Sequence, residues 1–319
     1  MVKDEQCSWG REGRLLEVMH SSGRESLATV HVARFRGDDR YLAEFVGSLS
    51  GSPSQDEKWV AILSSQYGCP VGCPFCDAGD HFDGNLTKAE LLAQLDYLVD
   101  ARYPGRKVPT KKFKVQFARM GEPALNPAVV DAIREMRTRY DAPGLMPCVS
   151  TVAPEGAGDF FERLLAVKRE LYDESFQLQF SIHTTDAKLR DVLVPARKWG
   201  LERMAEYGAR FHGGSGRKVA LNFALSPNAP VDARILVGHF DPKHFMVKLT
   251  PVNPTENARL RGLVSPLGPG FEEGTHPVVR ALADAGFEVV VSIGEPEENE
   301  LGSNCGQVLA MWKKNEGTG

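Results

Sequence analysis

From Lys58 onward the sequence alternates between two rhythms, and that alternation limits the fold more than any other feature. Short apolar runs at residues 59–63, 113–117, 146–151, 176–182, 219–223, 245–249 and 287–292 read as strands. Segments with helical spacing and helical end signals lie between most of them. Thr87-Lys88-Ala89-Glu90 is a capping box opening a helix to about Ala101, and Asn126-Pro127 starts one through Arg139. Asp159 caps a helix to about Glu170. Further helices are predicted at 201–207, from about Val231, at 276–285 and at 305–314, while the stretch after Ile182 reads as a polar loop. Strands that alternate with helices pair in parallel, because each helix carries the chain back to the same end of the sheet. The predicted fold class is α/β, with six βα units forming an open, partial (β/α)6 barrel. Ligands of such sheets sit at the carboxyl ends of the strands.

The first 57 residues follow a different pattern. Residues 27–35 alternate as a half-buried strand, 41–46 supply a partner, and Gly37-Asp38-Asp39 turns between them. Residues 47–57 are rich in Ser, Gly and Pro and read as a linker. The expected organisation is therefore a small N-terminal β extension and linker at 1–57. The barrel core with a C-terminal closing segment follows at 58–319.

The first core strand delivers the chemically loaded stretch, Ser64-Ser65-Gln66-Tyr67-Gly68-Cys69-Pro70-Val71-Gly72-Cys73-Pro74-Phe75-Cys76. It holds three of the six cysteines, spaced Cys-x3-Cys-x2-Cys. Three thiolates this close cannot all point into a core, but Gly68, Gly72 and the prolines let a short loop turn them toward one inorganic centre. Three cysteines satisfy three irons of a 4Fe–4S cube and leave the fourth iron open. The competing assignment is structural zinc, with His81 as a fourth ligand; all-cysteine zinc sites use two distant Cys-x2-Cys pairs, and no second pair exists here.

Composition narrows the context. No apolar run approaches the length of a membrane span, and the N-terminus, Met-Val-Lys-Asp-Glu-Gln, carries no apolar signal region. With three clustered thiols, this predicts a cytoplasmic protein in a reducing compartment. A net charge of −4 counts against a nucleic-acid binder, whose affinity comes mainly from Lys and Arg on phosphates.

Cys69-x3-Cys73-x2-Cys76, with Phe75 before the third cysteine, resembles the signature of the radical S-adenosylmethionine (SAM) superfamily. The resemblance implies a 4Fe–4S cluster whose open iron binds SAM and whose electron cleaves it to methionine and a 5′-deoxyadenosyl radical. An electron donor such as flavodoxin or ferredoxin is implied with it. Gly121-Glu122-Pro123 after the second core strand resembles the superfamily motif that contacts the methionine amino group; read from the residues alone, it is a turn with a carboxylate.

A narrower resemblance is to the RlmN/Cfr family of radical SAM methyltransferases acting on RNA adenine. It is carried in order by Ser64-Ser65-Gln66-x-Gly68-Cys69, Asn85-Leu86-Thr87 before a helix with Gln94, and Gly121-Glu122-Pro123-x-x-Asn126. Ser150-Thr151, Ser181-Ile182-His183, Arg190-Asp191 with Val194-Pro195, Pro251-x-Asn253-Pro254 and Cys305-Gly306-Gln307 follow. The match covers about residues 58–312. It implies that Ser150, Ser181 and Asn253 line the SAM site, with His183 near the nucleoside part. It also implies that Cys305 carries a methyl group from one SAM before a second SAM supplies the radical. Arg190, Arg197 and Lys198 are candidates to meet an anionic substrate, or simply a solvated face.

Three departures set this chain apart from the resemblance. The family has a second cysteine seven residues before its first cluster cysteine; here that position is Ile62, which cannot act on a thioether-linked intermediate. The 68 residues before Cys69 carry no helical pattern of the kind that forms the family's N-terminal RNA-binding domain. The family's Asn-Asp pair reads Asn228-Ala229. Cys148, two residues before Ser150 on the same strand face, is a candidate replacement thiol; a buried apolar cysteine is the plainer account.

These features favour a radical SAM enzyme acting by hydrogen abstraction on a small-molecule or nucleoside-like biosynthetic substrate, over RNA. Rearrangement, decarboxylation and C-methylation are all open to it. The alternative is an RNA adenine C-methyltransferase working through methylated Cys305. A non-catalytic iron–sulfur or zinc protein is the third possibility.

Overall fold

The computed structural model describes residues 15–49, 54–226, 228–263, 265, 276–293, 297–298, 301–303 and 307–316. Cys7 and Cys305 lie outside the described residues, as do parts of the predicted linker and closing helix.

Among the described residues, ten strands form one sheet. An antiparallel meander of β1 (Leu16–Arg24), β2 (Ala28–Phe35) and β3 (Leu42–Ser48) leads into β4 (Lys58–Leu63), which β3 pairs antiparallel through Val46 and Ile62. The boundary expected at residue 58 coincides with the start of β4, and the sheet continues across it. The short strands β5 (Gln66–Gly68) and β6 (Phe82–Asn85) form a separate hairpin around the cysteine loop. Then β7 (Lys112–Phe117), β8 (Leu145–Thr151), β9 (Gln177–Ser181), β10 (Val219–Leu225), β11 (Phe245–Pro251) and β12 (Glu288–Val291) add in chain order, all parallel. Among the described residues the edge strands β1 and β12 are not paired to each other, the arrangement expected of a partial barrel.

The connections are helices, seven of them predicted and two, α4 and α7, not. They are α1 (Lys88–Asp100), α2 (Ala128–Arg139), α3 (Gly158–Val167), α4 (Ala187–Leu193), α5 (Leu201–His212), α6 (Ala233–His239), α7 (Glu256–Leu260), α8 (Pro277–Asp284) and α9 (Gln307–Glu316). At α1 the capping box forms as read: Thr87 Oγ1 accepts from the Glu90 amide and the Glu90 carboxylate accepts from the Thr87 amide.

Strand alternation sets what each face does. On β7, Phe113, Val115 and Phe117 are buried in the main core with the helix residues Leu91, Leu95 and Ile133, while Lys112, Lys114 and Gln116 take the opposite, concave face. Apolar residues of β2 and β3 belong to the same core cluster, so the meander packs as part of the barrel wall.

Five elements were not legible as elements, among them α7, which is only five residues long. β1 is an edge strand of mixed polarity in which every residue is at least partly exposed, and it carries no alternation to read. β5 and β6 are short and glycine-containing. α4 replaces the predicted polar loop; its seven residues are too few for a periodic signal, and Asp186 caps it by accepting from the Leu189 amide at 2.9 Å.

Candidate active site

The cysteine loop leaves the sheet at Ser64 and is closed by the β5–β6 hairpin. Gly68 holds φ +82°, and a Cβ there would lie 1.9 Å from the His81 carbonyl oxygen, so only glycine allows the Cys69 amide to reach that carbonyl at 2.9 Å. Cys69, Cys73 and Cys76 are thiols rather than disulfides, and each is partly exposed. Burial pushes the Cys69 thiol up to about 11, opposed by the amides of Val71, Gly72 and Gly121 directed at its sulfur.

The loop is gripped from the far end of the chain by α7 and its cap. Thr255 Oγ1 donates to the Phe75 carbonyl at 2.8 Å, and the Asp77 carboxylate accepts from the amides of Glu256 and Asn257 at 3.1 and 2.9 Å. Arg261 Nη1 donates to the Pro74 carbonyl at 2.7 Å. A small apolar cluster of Val71, Val152, Leu193, Val194 and Ala229 packs against Cys69, Cys73 and Phe75.

This setting suits an iron–sulfur cluster: thiols on one short loop, amides aimed at a sulfur, and an apolar wall. Among the described residues no three His, Cys, Asp or Glu side chains converge as a site for one ion. A cluster takes each thiol at a different iron and does not require that convergence. Asp77→Ala is expected to release cluster iron to a chelator roughly tenfold faster, because outer contacts orient ligands. The check is chelation kinetics beside a melting curve; unchanged release from a folded variant would remove Asp77 from this role.

The second component is the turn at Gly121-Glu122-Pro123. Gly121 holds φ +93°, and a Cβ there would meet the Gln66 side chain at 2.5 Å. Gln66 Oε1 in turn accepts from the Glu122 amide at 2.8 Å, which fastens the turn to the base of the cysteine loop. Asn126 Nδ2 adds bonds to the carbonyls of Ser65 and Leu86 at 2.7 and 2.8 Å. Pro123 opens a short 3-10 turn, with the Ala124 amide donating to Glu122 Oε1 at 2.9 Å. Thr151 Oγ1 donates to the same oxygen at 2.5 Å and the Val152 amide to Oε2 at 2.9 Å. Even so, burial pushes the Glu122 carboxyl up to about 7, so a cation placed beside it gains strongly.

The remaining predicted residues distribute along the strand ends. Ser150 on β8 keeps a buried hydroxyl without a partner among the described protein groups. Ser181 ends β9, and Asn253, partly buried, follows β11. His183 is packed: φ is +68°, Nδ1 accepts from the Ala224 amide at 3.3 Å, and its ring meets Phe75 edge-on at 4.9 Å. Burial lowers it to about 4, so it is neutral and serves as a wall behind the cysteine loop. Cys148 is buried on β8 and aligns with Gln116 on β7 and, through it, with Ile62 on β4.

The three basic candidates all have intramolecular partners. Arg190 is buried and donates to the Trp199 carbonyl at 2.8 Å; Arg197 pairs with Glu155 and Lys198 with Asp191, each at 2.7 Å. Sequence reasoning named Gln66 and Thr151 only as carriers of the resemblance, and missed Asp77, Thr255 and Asn257 as site-building residues. A signal existed for two of them: Asp77 adjoins the last cysteine, and Thr255 is a readable helix cap.

No family model matches the chain. Curated relatives do: a probable dual-specificity RNA methyltransferase RlmN of Salinispora arenicola is 32% identical over 313 residues, spanning 93% of this chain and 76% of that protein. The chain belongs to the RlmN family. The corresponding RlmN of Salinispora tropica is 31% identical over 289 residues, 88% of this chain and 73% of the relative, and that of Streptomyces coelicolor 31% identical over 271 residues, 80% and 68%. The fold is shared with a solved radical SAM methyltransferase from Sphaerobacter thermophilus, at a TM-score of 0.68 and 23% identity over 92% of this chain and 81% of that one.

The RlmN-family chain is thus a radical SAM enzyme. Its relatives are RNA methyltransferases, which overturns the preference for a small-molecule substrate. That preference gave too much weight to net charge, which averages over the whole surface and does not report one local face. It also read the loss of a thiol at Ile62 as a change of substrate, although that position bears on one chemical step. Among the described residues no helix is long and apolar enough to cross a membrane.

Proposed function

We propose that this chain methylates an adenine base in RNA, with Cys305 as the thiol that carries the incoming methyl group. The observation that supports this best is the family match over most of the chain, together with Cys305-Gly306-Gln307 in the expected order. When bound, the 4Fe–4S cluster and SAM supply the one-electron chemistry that makes a hydrogen-abstracting radical.

On this reading Cys69, Cys73 and Cys76 hold the cluster. Glu122, with Gly121 and Pro123 shaping its turn, receives the ammonium group of SAM. The partnerless Ser150 hydroxyl, Ser181 and Asn253 receive its ribose and carboxylate oxygens. His183 keeps Phe75 in place and the region dry. Cys148 replaces the thiol lost at Ile62. It faces the barrel interior in the same register row, two strands away or roughly 10 Å. Burial and the nearby Lys114 lower Lys248 to about 8.

The test is anaerobic incubation of the reconstituted protein with SAM, a reductant and RNA from cells lacking their own RlmN, followed by nucleoside mass spectrometry. Methylated adenosine in the RNA is the expected product. Formation of 5′-deoxyadenosine with no methylated adenosine would overturn the assignment.

A further inference from the structure

The concave face of the sheet carries four lysines that the SAM site does not use. Lys58 opens β4, Lys112 and Lys114 stand on β7, and Lys248 stands on β11, each partly exposed. Their strand neighbours point the other way: Trp59, Phe113, Val115, Val247 and Leu249 are buried in the main core. Lys58 aligns with Lys112 across the β4–β7 pair. In a flat sheet β7 and β11 would stand four strand spacings apart, roughly 19 Å. Here the sheet curves, and Lys114 and Lys58 act electrostatically on Lys248 across the face.

A group of cations this close needs counter-charges. Among the described residues no carboxylate pairs with Lys112, Lys114 or Lys248. Glu298 acts on Lys58. Glu288 aligns with Met246 on the same face, but it faces Lys218 at 3.7 Å. Burial first, and then like charge, hold Lys58 and Lys112 below the usual lysine value and bring Lys248 down to about 8. At that value Lys248 is still mostly protonated at pH 7, so the positive charge persists. Gln116 and Gln179 add amides to the same face, which donate to an oxyanion as readily as to water.

We propose that this half of the concave face is an anion site, in which Lys114 and Lys248, with Lys58 and Lys112 at its entrance, take a phosphate group, either free or carried by a small nucleotide. A phosphate fits because its oxygens spread over a tetrahedron and accept from several ammonium groups at once, while its charge offsets more than one of them. Lys114 and Lys248 lie three residues, about 10 Å, before the ends of their strands at Phe117 and Pro251. The site is therefore displaced toward the amino ends of the strands, away from the Glu122 turn. It uses none of the residues assigned to SAM, and its occupant is a ligand other than the methyl acceptor.

The test uses the full chain, anaerobically reconstituted. Acetic anhydride labelling at pH 7, read by peptide mass spectrometry, follows Lys114 and Lys248 with exposed Lys243 as the internal reference. Inorganic phosphate is expected to slow labelling of Lys114 and Lys248 about tenfold relative to Lys243, and chloride at the same ionic strength to leave it unchanged. Reading the lysines themselves separates this site from any binding of a nucleotide at the SAM face. Protection by adenosine monophosphate at a lower concentration than by phosphate would assign the phosphate of a nucleotide; protection by phosphate alone would assign the free anion. Lys114→Met removes one cation and keeps the apolar stem. Its affinity for phosphate in a calorimetric titration is expected to fall about tenfold, while Lys243→Met binds as wild type does. Labelling unchanged by both ligands would overturn the site, as would wild-type phosphate affinity in a folded Lys114→Met variant. If Lys114→Met does not fold, the labelling of the wild-type chain decides.

Discussion

Cys73→Ser is expected to abolish SAM cleavage while leaving the fold in place. Cys73 sits partly exposed on the loop, and its carbonyl accepts from the Cys76 amide at 3.0 Å, a backbone bond that serine keeps. The hydroxyl is close in size to the thiol but does not ionise near neutrality, and iron in a cube is held by thiolate. The folded state therefore loses little and the centre loses a ligand. Iron and sulfide content after anaerobic reconstitution should drop, 5′-deoxyadenosine should fall to background, and the melting temperature of the apo protein should move by no more than a few degrees. Cys148→Ala is the contrast, with iron loading expected to stay normal. A serine variant that cleaves SAM at the wild-type rate would remove Cys73 from the ligand set.

The fold was legible because the strand–helix alternation from Lys58 is strong and each rhythm is long enough to read. Every parallel core strand falls within a residue or two of its apolar run, and the Thr87 cap forms from the residues that signalled it. What was not legible had little local signal. β1 gains its place from pairing with β2, and α4 is too short to show a period. The cysteine loop and the Glu122 turn stood out because their chemistry is unusual in any context. Their supports did not, since Asp77 and Thr255 act through partners 179 and 180 residues away.

The same distinction explains the error over substrate. Ile62 and Ala229 are visible departures in the sequence, yet in the structure Ala229 joins the apolar cluster against the cysteine loop and Ile62 packs against the main core. Neither position forms a substrate surface by itself. Arg190 shows the opposite error: it looks like a cation for an anionic substrate, and instead it is buried on the Trp199 carbonyl. Charge in sequence tells how much a residue costs to bury, and only the fold tells what it meets.

Glu122→Gln is expected to weaken SAM binding roughly 10- to 150-fold at pH 8, the range of one hydrogen bond to a charged group. The wild-type carboxyl, at about 7 in the folded state against 4.5 ordinarily, fixes the sign of the pH dependence. Because the folded value is raised, this group's contribution to apo stability is complete below pH 4.5 and is lost as pH rises through 7. The shift corresponds to about 3 kcal/mol. An ammonium group beside the carboxylate reverses that penalty. SAM affinity should therefore rise between pH 6 and pH 8, and the thermal protection given by SAM should be larger at pH 8 than at pH 6. Glutamine removes the titration, so its weaker binding should be flat over that window. It also turns an amide N–H toward the Val152 amide, now 2.9 Å from Oε2, which costs a further 1–3 kcal/mol or so of apo stability. Calorimetric titration of apo wild type and variant with SAM at three pH values separates the two effects. A wild-type affinity that does not change across neutrality would show that the ammonium group binds elsewhere than at Glu122.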